Sequence, residues 1–243
     1  MTARLRQEAK SEASVQAVLD AALELFSTQG YRATPLRQIA ERAGISVGNI
    51  YHHFPDKEAI YSRLIERYWE RVLDPDLPLN QIFARARFPD DIEEMAAAIE
   101  KVVGDNAAHI LLIYVDVIEF GGQHIRAFYE GMAARYQSVY ATRLAERQAA
   151  GELGSVDPMI GVMVATRWLF YFFTVEKCFG VPMHFGMTTK QAVDEFARLL
   201  RFGLLPRSGE QQRPQAAIER HQEGAARRGA TKRSRPDRGG TKR

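Results

Sequence analysis

The side chains best suited to contact another molecule follow one another closely in the segment VGNIYHH, residues 47–53. The amide of Asn49 can donate and accept hydrogen bonds at the edge of a base, and the methyl groups of Val47 can contact a thymine methyl. Gly48 has no side chain and permits a close approach of the backbone. At the start of a short helix, these residue types are typical of a segment that reads DNA sequence in the major groove.

Two short helices joined by a tight turn are predicted to hold this segment. The first helix begins at Thr34, whose hydroxyl can cap free backbone N–H groups, with Pro35 at the first helical position. It ends at Ala43. Gly44 supplies the left-handed residue that closes a helix, and Ser46 caps the next helix two residues later. This order of signals predicts a helix-turn-helix.

The second of these helices is predicted to have a buried face and a free face. Ile50 and Phe54 are four residues apart, so they share the face that can pack on the protein. Pro55 stops the helix and Asp56 caps the next one. Lys57 therefore lies at a helix N-terminus, where a lysine and free backbone N–H groups suit a phosphate.

The same stretch resembles the TetR family of bacterial transcription repressors. The resemblance covers roughly residues 14–67, and beyond them it is one of helix order only. The matching residues are ALELFSTQGYRAT, Ile39-Ala40, Ala43-Gly44-Ile45-Ser46, Gly48-Asn49-Ile50-Tyr51, His53-Phe54 and Asp56-Lys57-Glu58.

The resemblance implies an all-α fold, with an N-terminal three-helix helix-turn-helix domain and a larger helical domain for ligand binding and dimerisation. It also implies, position by position, which residues contact double-stranded DNA. The phosphate contacts fall on Thr34, Arg37, Tyr51, His53 and Lys57, and the base contacts on Val47, Gly48, Asn49 and His52. Pro35 and Val47 depart from the residues often found at their positions.

An enzyme is the alternative interpretation of the polar residues in this stretch. Its acid-base or metal-binding groups would be His52, His53, Asp56 and Glu58. No nucleophile or third metal ligand at a suitable spacing accompanies them, and the remaining histidines are scattered. The sequence therefore predicts a protein that is not an enzyme and that needs no cofactor or metal.

The basic character of the chain comes from its C-terminal tail. The net charge is +3 and the isoelectric point is near 9.0. Residues 207–243 contain eleven Lys and Arg against four Asp and Glu, which leaves residues 1–206 at about −4. The overall charge is therefore poor evidence for specific DNA binding. The tail is predicted to be disordered, and either it strengthens nonspecific DNA association or it is simply solvated.

A flexible basic arm is predicted over residues 1–13, which include Arg4, Arg6 and Lys10. The arm either adds DNA contacts or is an ordinary solvated terminus. The predicted DNA-binding domain follows over residues 14–57.

Composition favours a soluble cytoplasmic protein that does not associate with a membrane. The chain has 243 residues and a hydrophobic fraction of 46%, which suffices for a buried core. Its one cysteine, Cys178, excludes an intramolecular disulfide framework. The N-terminus lacks the apolar region of a signal peptide, and the apolar run 159–173 contains Arg167 and is shorter than a spanning helix.

Residues 58–206 are predicted to form the larger helical domain. A helix from Asp56 through Trp69 joins it to the DNA-binding domain and is either the mechanical link between them or a rigid connector. Residues 74–90 are predicted to be a loop with one helical turn. Further helices are predicted from Asp90 through Val103, over His109–Phe120, over Gln123–Ala150, from Asp157 to near Gly180, and over Thr189–Leu205.

Dimerisation is predicted because the helix at 158–179 is apolar on nearly every side and must be covered on nearly every side. As the helix order of the resembled family implies, it would pair with the helix at 189–205 and with both copies in a second chain. Two-fold symmetry would then hold two recognition helices roughly 34–36 Å apart, which predicts a palindromic operator.

A ligand site in the larger domain is predicted from its aromatic and polar residues. The candidate lining residues are Trp69, Tyr114, Phe128, Met132, Met163, Arg167 and Tyr171. The alternative for each aromatic residue is ordinary core packing. Arg167 is expected to be buried and paired with Asp116 or Glu119, or else to bind a carboxylate of the ligand.

Together these features predict a homodimeric, ligand-responsive transcriptional regulator. It would act as a repressor that binds a palindromic operator and is released by a small, largely apolar effector. The alternative is a DNA-binding dimer with no effector, constitutive or architectural in role.

Overall fold

The computed structural model of the chain describes residues 3–204, and these form ten α-helices and no β-strand. The predicted all-α class is confirmed. The helices are α1 (Ala3–Gln29), α2 (Leu36–Ala43), α3 (Val47–His53), α4 (Lys57–Val72), α5 (Pro78–Arg85), α6 (Ile92–Asp105), α7 (Ala107–Phe120), α8 (Arg126–Ala149), α9 (Pro158–Lys177) and α10 (Thr189–Leu204).

Helix α1 begins well before the residue predicted from the sequence. It starts at Ala3 instead of Ser14, so residues 3–13 are helical rather than an irregular arm. Burial does not cause this, because residues 5–10 are exposed. The segment consists mostly of Ala, Arg, Leu, Gln, Glu and Lys, which are strong helix formers. The other predicted basic segment, residues 207–243, lies outside the described part of the chain.

Helices α1–α4 pack around one group of buried apolar side chains, which we call the N-terminal core. Phe26, Ile39, Ile50 and Tyr61 are all fully buried in it. Helix α1 forms the floor on which α2 and α3 lie. The core also includes Leu112 from α7, so a helix of the larger predicted domain takes part in it.

Helices α5–α10 surround a second group of buried apolar side chains, the C-terminal core. Helix α9 runs through it with Val162, Leu169 and Phe173 buried. Among the residues that the structure describes, α9 is also the helix long and apolar enough to cross a membrane. Because 56% of that apolar window is buried inside the protein, its composition is that of a central core helix.

Helix α4 contributes to both cores. Ile60 and Leu64 lie in the N-terminal core, whereas Tyr68 and Val72 lie in the C-terminal core. A tilt of α4 would therefore change the packing in both cores. The described residues all belong to one compact unit, so a domain boundary at residues 57 and 58 remains a prediction.

The segment 74–90 is more ordered than predicted. It contains the two-turn helix α5, which has Pro78 at its first position. Proline is compatible with that position because the first N–H of a helix has no partner within it. A proline does not always break a helix, and Pro78 starts one here.

Candidate DNA-binding surface and effector site

The turn between α2 and α3 has the geometry predicted from its sequence. Gly44 adopts the left-handed conformation at φ 70° and ψ 28°, and its N–H donates to the carbonyl of Glu41. The hydroxyl of Ser46 accepts a hydrogen bond from the backbone N–H of Asn49 at 3.2 Å. Both capping predictions are confirmed, and together they fix the direction in which α3 leaves the turn.

The predicted cap at the start of α2 is wrong. Pro35 precedes the first helical residue, and no side chain caps the helix there. Thr34 is fully buried, and its hydroxyl donates to the carbonyl of Gly30 at 2.7 Å and accepts from Gln29 at 3.1 Å. For the same reason Thr34 is not available as a phosphate contact in this structure.

Helix α3 has one face in the N-terminal core and the other turned away from it. Ile50 is fully buried and Phe54 is 7% exposed, as predicted for the anchoring pair. On the other sides, His52 is exposed, while Val47 and Asn49 are half-buried. The base contacts of these residues remain predictions, but no intramolecular hydrogen bond occupies the side chain of Asn49 within residues 3–204.

Gly48 is exposed on α3, and packing within the protein does not require a glycine there. A Cβ atom built at this position would lie 3.8 Å from the Ser46 hydroxyl, which is an ordinary contact distance. The lack of a side chain at position 48 thus leaves space on the side away from the core. Such space is what a close approach to a base edge would use.

Three of the predicted phosphate contacts lie where they could reach a ligand. Arg37 is exposed and has no hydrogen-bonding or ionic partner in the described part of the chain. Tyr51 is 55% exposed. His53 is half-buried, with its ring edge-on to that of His52 at 5.1 Å. Their contacts with DNA remain predictions.

The side chain of Lys57 instead makes its contacts within the protein. Its ammonium group donates to the carbonyls of Tyr31 at 2.8 Å and Thr34 at 2.9 Å, and it lies 4.1 Å from the centre of the Tyr31 ring. Burial lowers the pKa of Lys57, and the charge of Glu119 raises it in part. Lys57 thus ties the start of α4 to the α1–α2 turn, and its assignment as a phosphate contact is not supported.

The α1–α2 turn is also bound to the end of α7. The carboxylate of Glu119 accepts hydrogen bonds from the backbone N–H groups of Tyr31 at 2.9 Å and Arg32 at 2.7 Å. A Cβ atom at Gly30, where φ is +88°, would lie only 2.8 Å from the same carboxylate, so this contact requires glycine. We call helices α2 and α3 the recognition unit. The turn that precedes it is therefore attached to a helix of the larger domain.

A histidine joins the same two regions nearby. The ring of His124, between α7 and α8, lies 2.5 Å through Nδ1 from the fully buried carboxylate of Asp116. Its Nε2 lies 3.6 Å from the carboxylate of Glu58 in the first turn of α4. His124 is one of the histidines that are scattered in the sequence, and Asp116 or Glu119 was the expected partner of Arg167.

A signal for these contacts was present in the sequence. Asp116 and Glu119 lie in the last turns of α7, where the helix dipole disfavours negative charge. Carboxylates at that end of a helix indicate partners from elsewhere in the chain. The identity of the partners could not be read from the spacing, because they lie in α4, in the α7–α8 turn and in the α1–α2 turn.

Two of the predicted ligand-site residues, Trp69 of α4 and Phe128 of α8, are in direct contact. The rings of Trp69 and Phe128 are stacked face to face, with centroids 3.7 Å apart and planes at 5°. Met132 and Met163 are half-buried and pack against the C-terminal core. The indole Nε1 of Trp69 is buried without a hydrogen-bond acceptor.

The predicted burial of Arg167 and its predicted pairing with Asp116 or Glu119 are wrong, whereas its contact with a ligand carboxylate remains a prediction. Arg167 is exposed, and the contact recorded for its guanidinium is with the sulfur of Met132 at 4.0 Å. Neither Asp116 nor Glu119 pairs with it. An apolar run does not show which side of a helix faces outward, and Arg167 lies on the outward side of α9.

The remaining predicted residues, Tyr114 and Tyr171, lie at the surface of the protein. They are 36% and 61% exposed. Tyr114 packs edge-on against Phe179 at 5.4 Å. Two further tyrosines, Tyr68 on α4 and Tyr129 on α8, were not predicted. We call Tyr68, Tyr114, Tyr129 and Tyr171 the tyrosine cluster.

The hydroxyls of the tyrosine cluster influence one another. Burial raises the pKa of Tyr68, and the neighbouring Tyr129 and Cys178 raise it further. Burial likewise raises the pKa of Tyr114, with smaller contributions from Tyr171, Cys178 and Tyr129. The pKa of Tyr129 is raised by burial and lowered in part by the charge of Arg167.

An exposed apolar strip runs along α9 and α10. Ile160 and Val164 on α9 are 55% and 52% exposed, and Leu199 and Phe202 on α10 are 69% and 68% exposed. Residues of this size normally lie inside a protein, and a contiguous exposed group of them indicates an interaction surface.

A separate polar cleft of about 300 Å³ lies at the other end of α8. Arg147 crosses it, donating to the carbonyl of Phe88 and to the carboxylates of Asp90 and Glu152. Its lining residues are Arg85, Ala86, Arg87, Asp90, Arg143, Arg147 and Glu152. None of them was a candidate in the sequence analysis.

Comparison with known sequences identifies relatives of the N-terminal part. The profile of the family described as "Bacterial regulatory proteins, tetR family" matches residues 18–64. This range includes α2, α3 and most of α1, together with the first half of α4. The matched range therefore contains the whole of the recognition unit.

Two curated relatives are HTH-type transcriptional regulators. AcrR of Shigella flexneri is 33% identical over 129 residues, which cover 51% of this chain and 57% of AcrR. RutR of Escherichia coli strain K12 is 40% identical over 72 residues, which cover 30% of this chain and 34% of RutR. The chain thus spans little more than half the length of one relative and about a third of the other.

Solved structures extend the likeness to the whole fold. A TetR family transcription regulator from Marinobacter aquaeolei superposes with a TM-score of 0.55 at 16% identity, covering 83% of this chain and 100% of that one. A TetR family transcriptional regulator from Pseudomonas syringae gives 0.53 at 18% identity, covering 79% and 97%. At such identities the likeness shows the architecture, which includes the helices beyond residue 64.

Proposed function

This chain belongs to the TetR family of transcriptional regulators, and from that premise we propose that it is a homodimeric repressor that binds a palindromic operator and releases it when a small molecule binds the larger helical domain. The observation that carries the proposal is the geometry of α3. Its buried residue Ile50 fixes the helix on the protein, while the side chains of Asn49 and His52 make no hydrogen bond or ion pair within residues 3–204 and Gly48 adds no side chain.

DNA recognition would use two kinds of contact, one with base edges and one with phosphates. Asn49 reads a base edge, because its amide can both donate and accept. Arg37 and Tyr51 bind phosphates and hold the helix in register, which adds affinity without sequence preference. These phosphate contacts make the affinity fall as salt concentration rises.

Dimerisation through α9 and α10 is supported by the exposed apolar strip. A second copy of the chain would cover Ile160, Val164, Leu199 and Phe202, and a two-fold axis would bring each strip against its copy. Four helices in such an interface form a bundle. The same axis would set the two α3 helices roughly 34–36 Å apart, one turn of DNA.

The route from effector to DNA runs through α4 and α7 in this proposal. The tyrosine cluster includes residues of both helices, and both helices also touch the recognition unit. Glu119 of α7 holds the α1–α2 turn, and Lys57 of α4 holds the same turn from the other side. An effector releases DNA only if it binds the non-binding arrangement of these helices more tightly, since equal affinity for both arrangements shifts nothing.

The test is selection of DNA from random duplexes, followed by binding measurements at several salt concentrations. The unmodified protein is expected to enrich a palindrome. Asn49→Ala should weaken discrimination at one position of each half-site, by about 1–3 kcal/mol. Arg37→Ala should weaken binding evenly across sequences and reduce its salt dependence.

A matched control is Arg143→Ala, which removes an exposed arginine far along α8 and should change neither property. If no sequence is enriched, the specific-regulator proposal fails. Enrichment of a single, non-repeated half-site would contradict the dimer.

The second candidate is a DNA-binding dimer without an effector. The close stack of Trp69 on Phe128 favours it, because that contact already fills the space between α4 and α8. The two candidates differ in response to ligand. An effector-binding protein melts at a higher temperature in the presence of its ligand, whereas an effector-free dimer is unaffected by every small molecule tested. In either case we propose a cytoplasmic protein that is not an enzyme.

A further inference from the structure

The ring of His124 lies between two carboxylates that belong to different helices. On one side, Nδ1 lies 2.5 Å from Oδ1 of Asp116 on α7. On the other side, Nε2 lies 3.6 Å from Oε1 of Glu58, in the first turn of α4. The side chain of His124 is only 10% exposed and that of Asp116 is fully buried. These contacts join the α7–α8 turn to the helix that follows α3.

The two sides of the ring are not equivalent. Asp116 also accepts hydrogen bonds from the backbone N–H groups of His124 and Ile125, at 3.3 and 3.4 Å, so its carboxylate is held in place. An ionised carboxylate can only accept, so Nδ1 of the histidine must carry a proton. In the neutral ring Nε2 then carries none, and it is buried without a hydrogen bond. Only the protonated ring, with an N–H on each nitrogen, can donate to Asp116 and Glu58 together.

No lysine or arginine competes for these two carboxylates. In the described part of the chain, the side-chain partners of Asp116 and Glu58 are His124 and, for Glu58, the amide of Gln123 at 3.3 Å. The ammonium group of Lys57 donates instead to backbone carbonyls. Within residues 3–204, the positive charge that can pair with both carboxylates is therefore that of a protonated His124.

Other titratable and charged groups surround the ring. The rings of Tyr61 and Phe120 pack edge-on against it, at 5.3 and 4.7 Å. Arg32 pairs with Glu119 at 3.8 Å, and the exposed Arg126 makes no ion pair in residues 3–204. Histidine is the residue type whose charge ordinarily changes between about pH 5 and 8. The surrounding groups are Asp116 and Glu119 of α7, Lys57, Glu58 and Tyr61 of α4, Tyr31 and Arg32 of the α1–α2 turn, and Arg126 of α8.

We propose that His124 is a pH-dependent positioning residue of this regulator. When protonated, its ring joins Asp116 to Glu58 and holds the start of α4 against the α7–α8 turn, and when neutral it releases Glu58. Because α4 follows α3 after three residues, the pairing holds the recognition unit in one orientation. Operator affinity is therefore higher at pH 5.5 than at pH 8 through this residue. The effect on DNA rests on the proposed function, whereas the pairing itself does not.

The pairing is tested by a double-mutant cycle on the stability of the full-length protein. His124→Asn retains an N–H donor near the position of Nδ1 and removes Nε2. Glu58→Gln removes one charge from a side chain that is 50% exposed. All four proteins are unfolded in urea at pH 5.5 and at pH 8, at one protein concentration. At pH 5.5 the substitutions should be coupled by about threefold to tenfold in the unfolding equilibrium constant, and at pH 8 they should be additive.

Glu146→Gln is the matched control for Glu58→Gln. It removes an exposed carboxylate near the far end of α8, roughly 30 Å from the start of that helix. Its cycle with His124→Asn should be additive at both pH values. Additivity of Glu58→Gln and His124→Asn at pH 5.5, or the same coupling at both pH values, would overturn the pairing.

A second measurement needs no change at the buried histidine. Glu58→Gln alone should raise the unfolding equilibrium constant about threefold more at pH 5.5 than at pH 8, relative to the unmodified protein. If His124→Asn does not fold, this comparison decides, and an equal effect at the two pH values rejects the pairing.

The positioning role is tested on the selected DNA. The measured quantity is the ratio of operator affinities at pH 5.5 and pH 8, at constant salt concentration. Any contribution of His52 and His53 of α3 is the same in the unmodified protein and in Glu58→Gln, so it cancels. The ratio should be about threefold or more larger in the unmodified protein. Equal ratios in the two proteins would remove the positioning role.

Operator selection separates these failures from that of the proposed function. A protein that selects no DNA but shows the coupling at pH 5.5 has the pairing without the regulatory role. A protein that selects a palindrome without the coupling is a regulator whose α4 is held by other contacts.

Discussion

The two cores of this protein differ in how they treat some of their polar groups. Around the N-terminal core, Thr34 bonds to Gly30, Tyr61 to the carbonyl of Leu112, and Asp116 to His124, whose Nε2 is buried without a hydrogen bond. Around the C-terminal core, the indole Nε1 of Trp69 and the hydroxyl of Tyr140 are buried without any. The paired groups of the N-terminal core fix one geometry. The unpaired groups of the C-terminal core can still form hydrogen bonds.

This difference fits the two tasks proposed for the molecule. A surface that reads base edges must hold its side chains in one position, because a small displacement loses the hydrogen bonds. A site that responds to a ligand must gain something when the ligand arrives. Unpaired donors provide that gain, since the ligand satisfies groups that the free protein leaves unsatisfied.

The largest expected effect compares a fully buried aromatic residue of the N-terminal core with the half-buried Phe128 of α8. Phe26 is fully buried against Tyr31 and Tyr61, so Phe26→Ala should lower the free energy of unfolding by about 3–5 kcal/mol. Phe128 is half-buried, and Phe128→Ala should cost about 1–2 kcal/mol. Urea denaturation followed by circular dichroism measures both, and equal costs would contradict the comparison.

The second effect concerns a buried histidine of the C-terminal region. Burial, helped by the charges of Arg71 and Arg67, lowers the pKa of His109 to about 4, from a usual value of 6.5. Between these pH values the unfolded chain binds a proton that the folded protein does not, so stability falls as the pH falls from 6.5 to 4. The loss should reach on the order of 2–3 kcal/mol.

His109→Phe is the variant that isolates this loss, because phenylalanine can keep the stack on Tyr68 without titrating. Its free energy of unfolding should change less between pH 7 and pH 4 than that of the unmodified protein. An identical pH dependence in both proteins would assign the acid sensitivity to other groups.

The third effect uses two tyrosines as a matched pair. The hydroxyl of Tyr61 donates to the carbonyl of Leu112 at 2.6 Å, whereas the hydroxyl of Tyr140 is buried with no partner. Tyr61→Phe removes this buried hydrogen bond and should cost about 1–1.5 kcal/mol. Tyr140→Phe should change stability by less than about 0.5 kcal/mol, in either direction. Similar losses in the two variants would show that the hydroxyl of Tyr140 has a partner in solution.

The smallest expected effect concerns the attachment of α7 to the α1–α2 turn. Glu119→Gln retains one good acceptor for the two N–H groups and should cost about 1 kcal/mol of stability. Its larger consequence should be for DNA, since the turn orients the recognition unit. We expect weaker operator binding in a gel-shift titration, with Glu130→Gln, an exposed residue of α8, as the control. Unchanged operator affinity would remove α7 from the proposed route.

The parts of the recognition unit that the sequence predicted correctly depend on neighbours in the chain. Gly44 and Ser46 act on backbone groups within a few residues, and Ile50 and Phe54 share a face because of helix geometry alone. The cap predicted at Thr34 and the free ammonium expected of Lys57 are not found, because the fold of the α1–α2 turn brings Gly30 and Tyr31 to these side chains.

The ligand site was harder to predict for a related reason. Trp69 and Phe128 were candidates because aromatic residues are common in such sites, and they do lie together. Tyr129 and Tyr68 were missed, since nothing in their spacing shows that α4 and α8 approach each other. The burial of Arg167 was mispredicted, because a helix that is apolar on most sides gives no sign of which side faces outward.

Gly48 has a consequence for how such a protein could diverge. The space beside it is empty in the protein itself, so a larger residue at position 48 would disturb no internal contact. Alanine there would even gain about 0.5–1 kcal/mol of helix stability. Mutations at this position would then affect only the choice of DNA target site. A duplicated copy of the protein could therefore come to regulate other genes while its fold stayed the same.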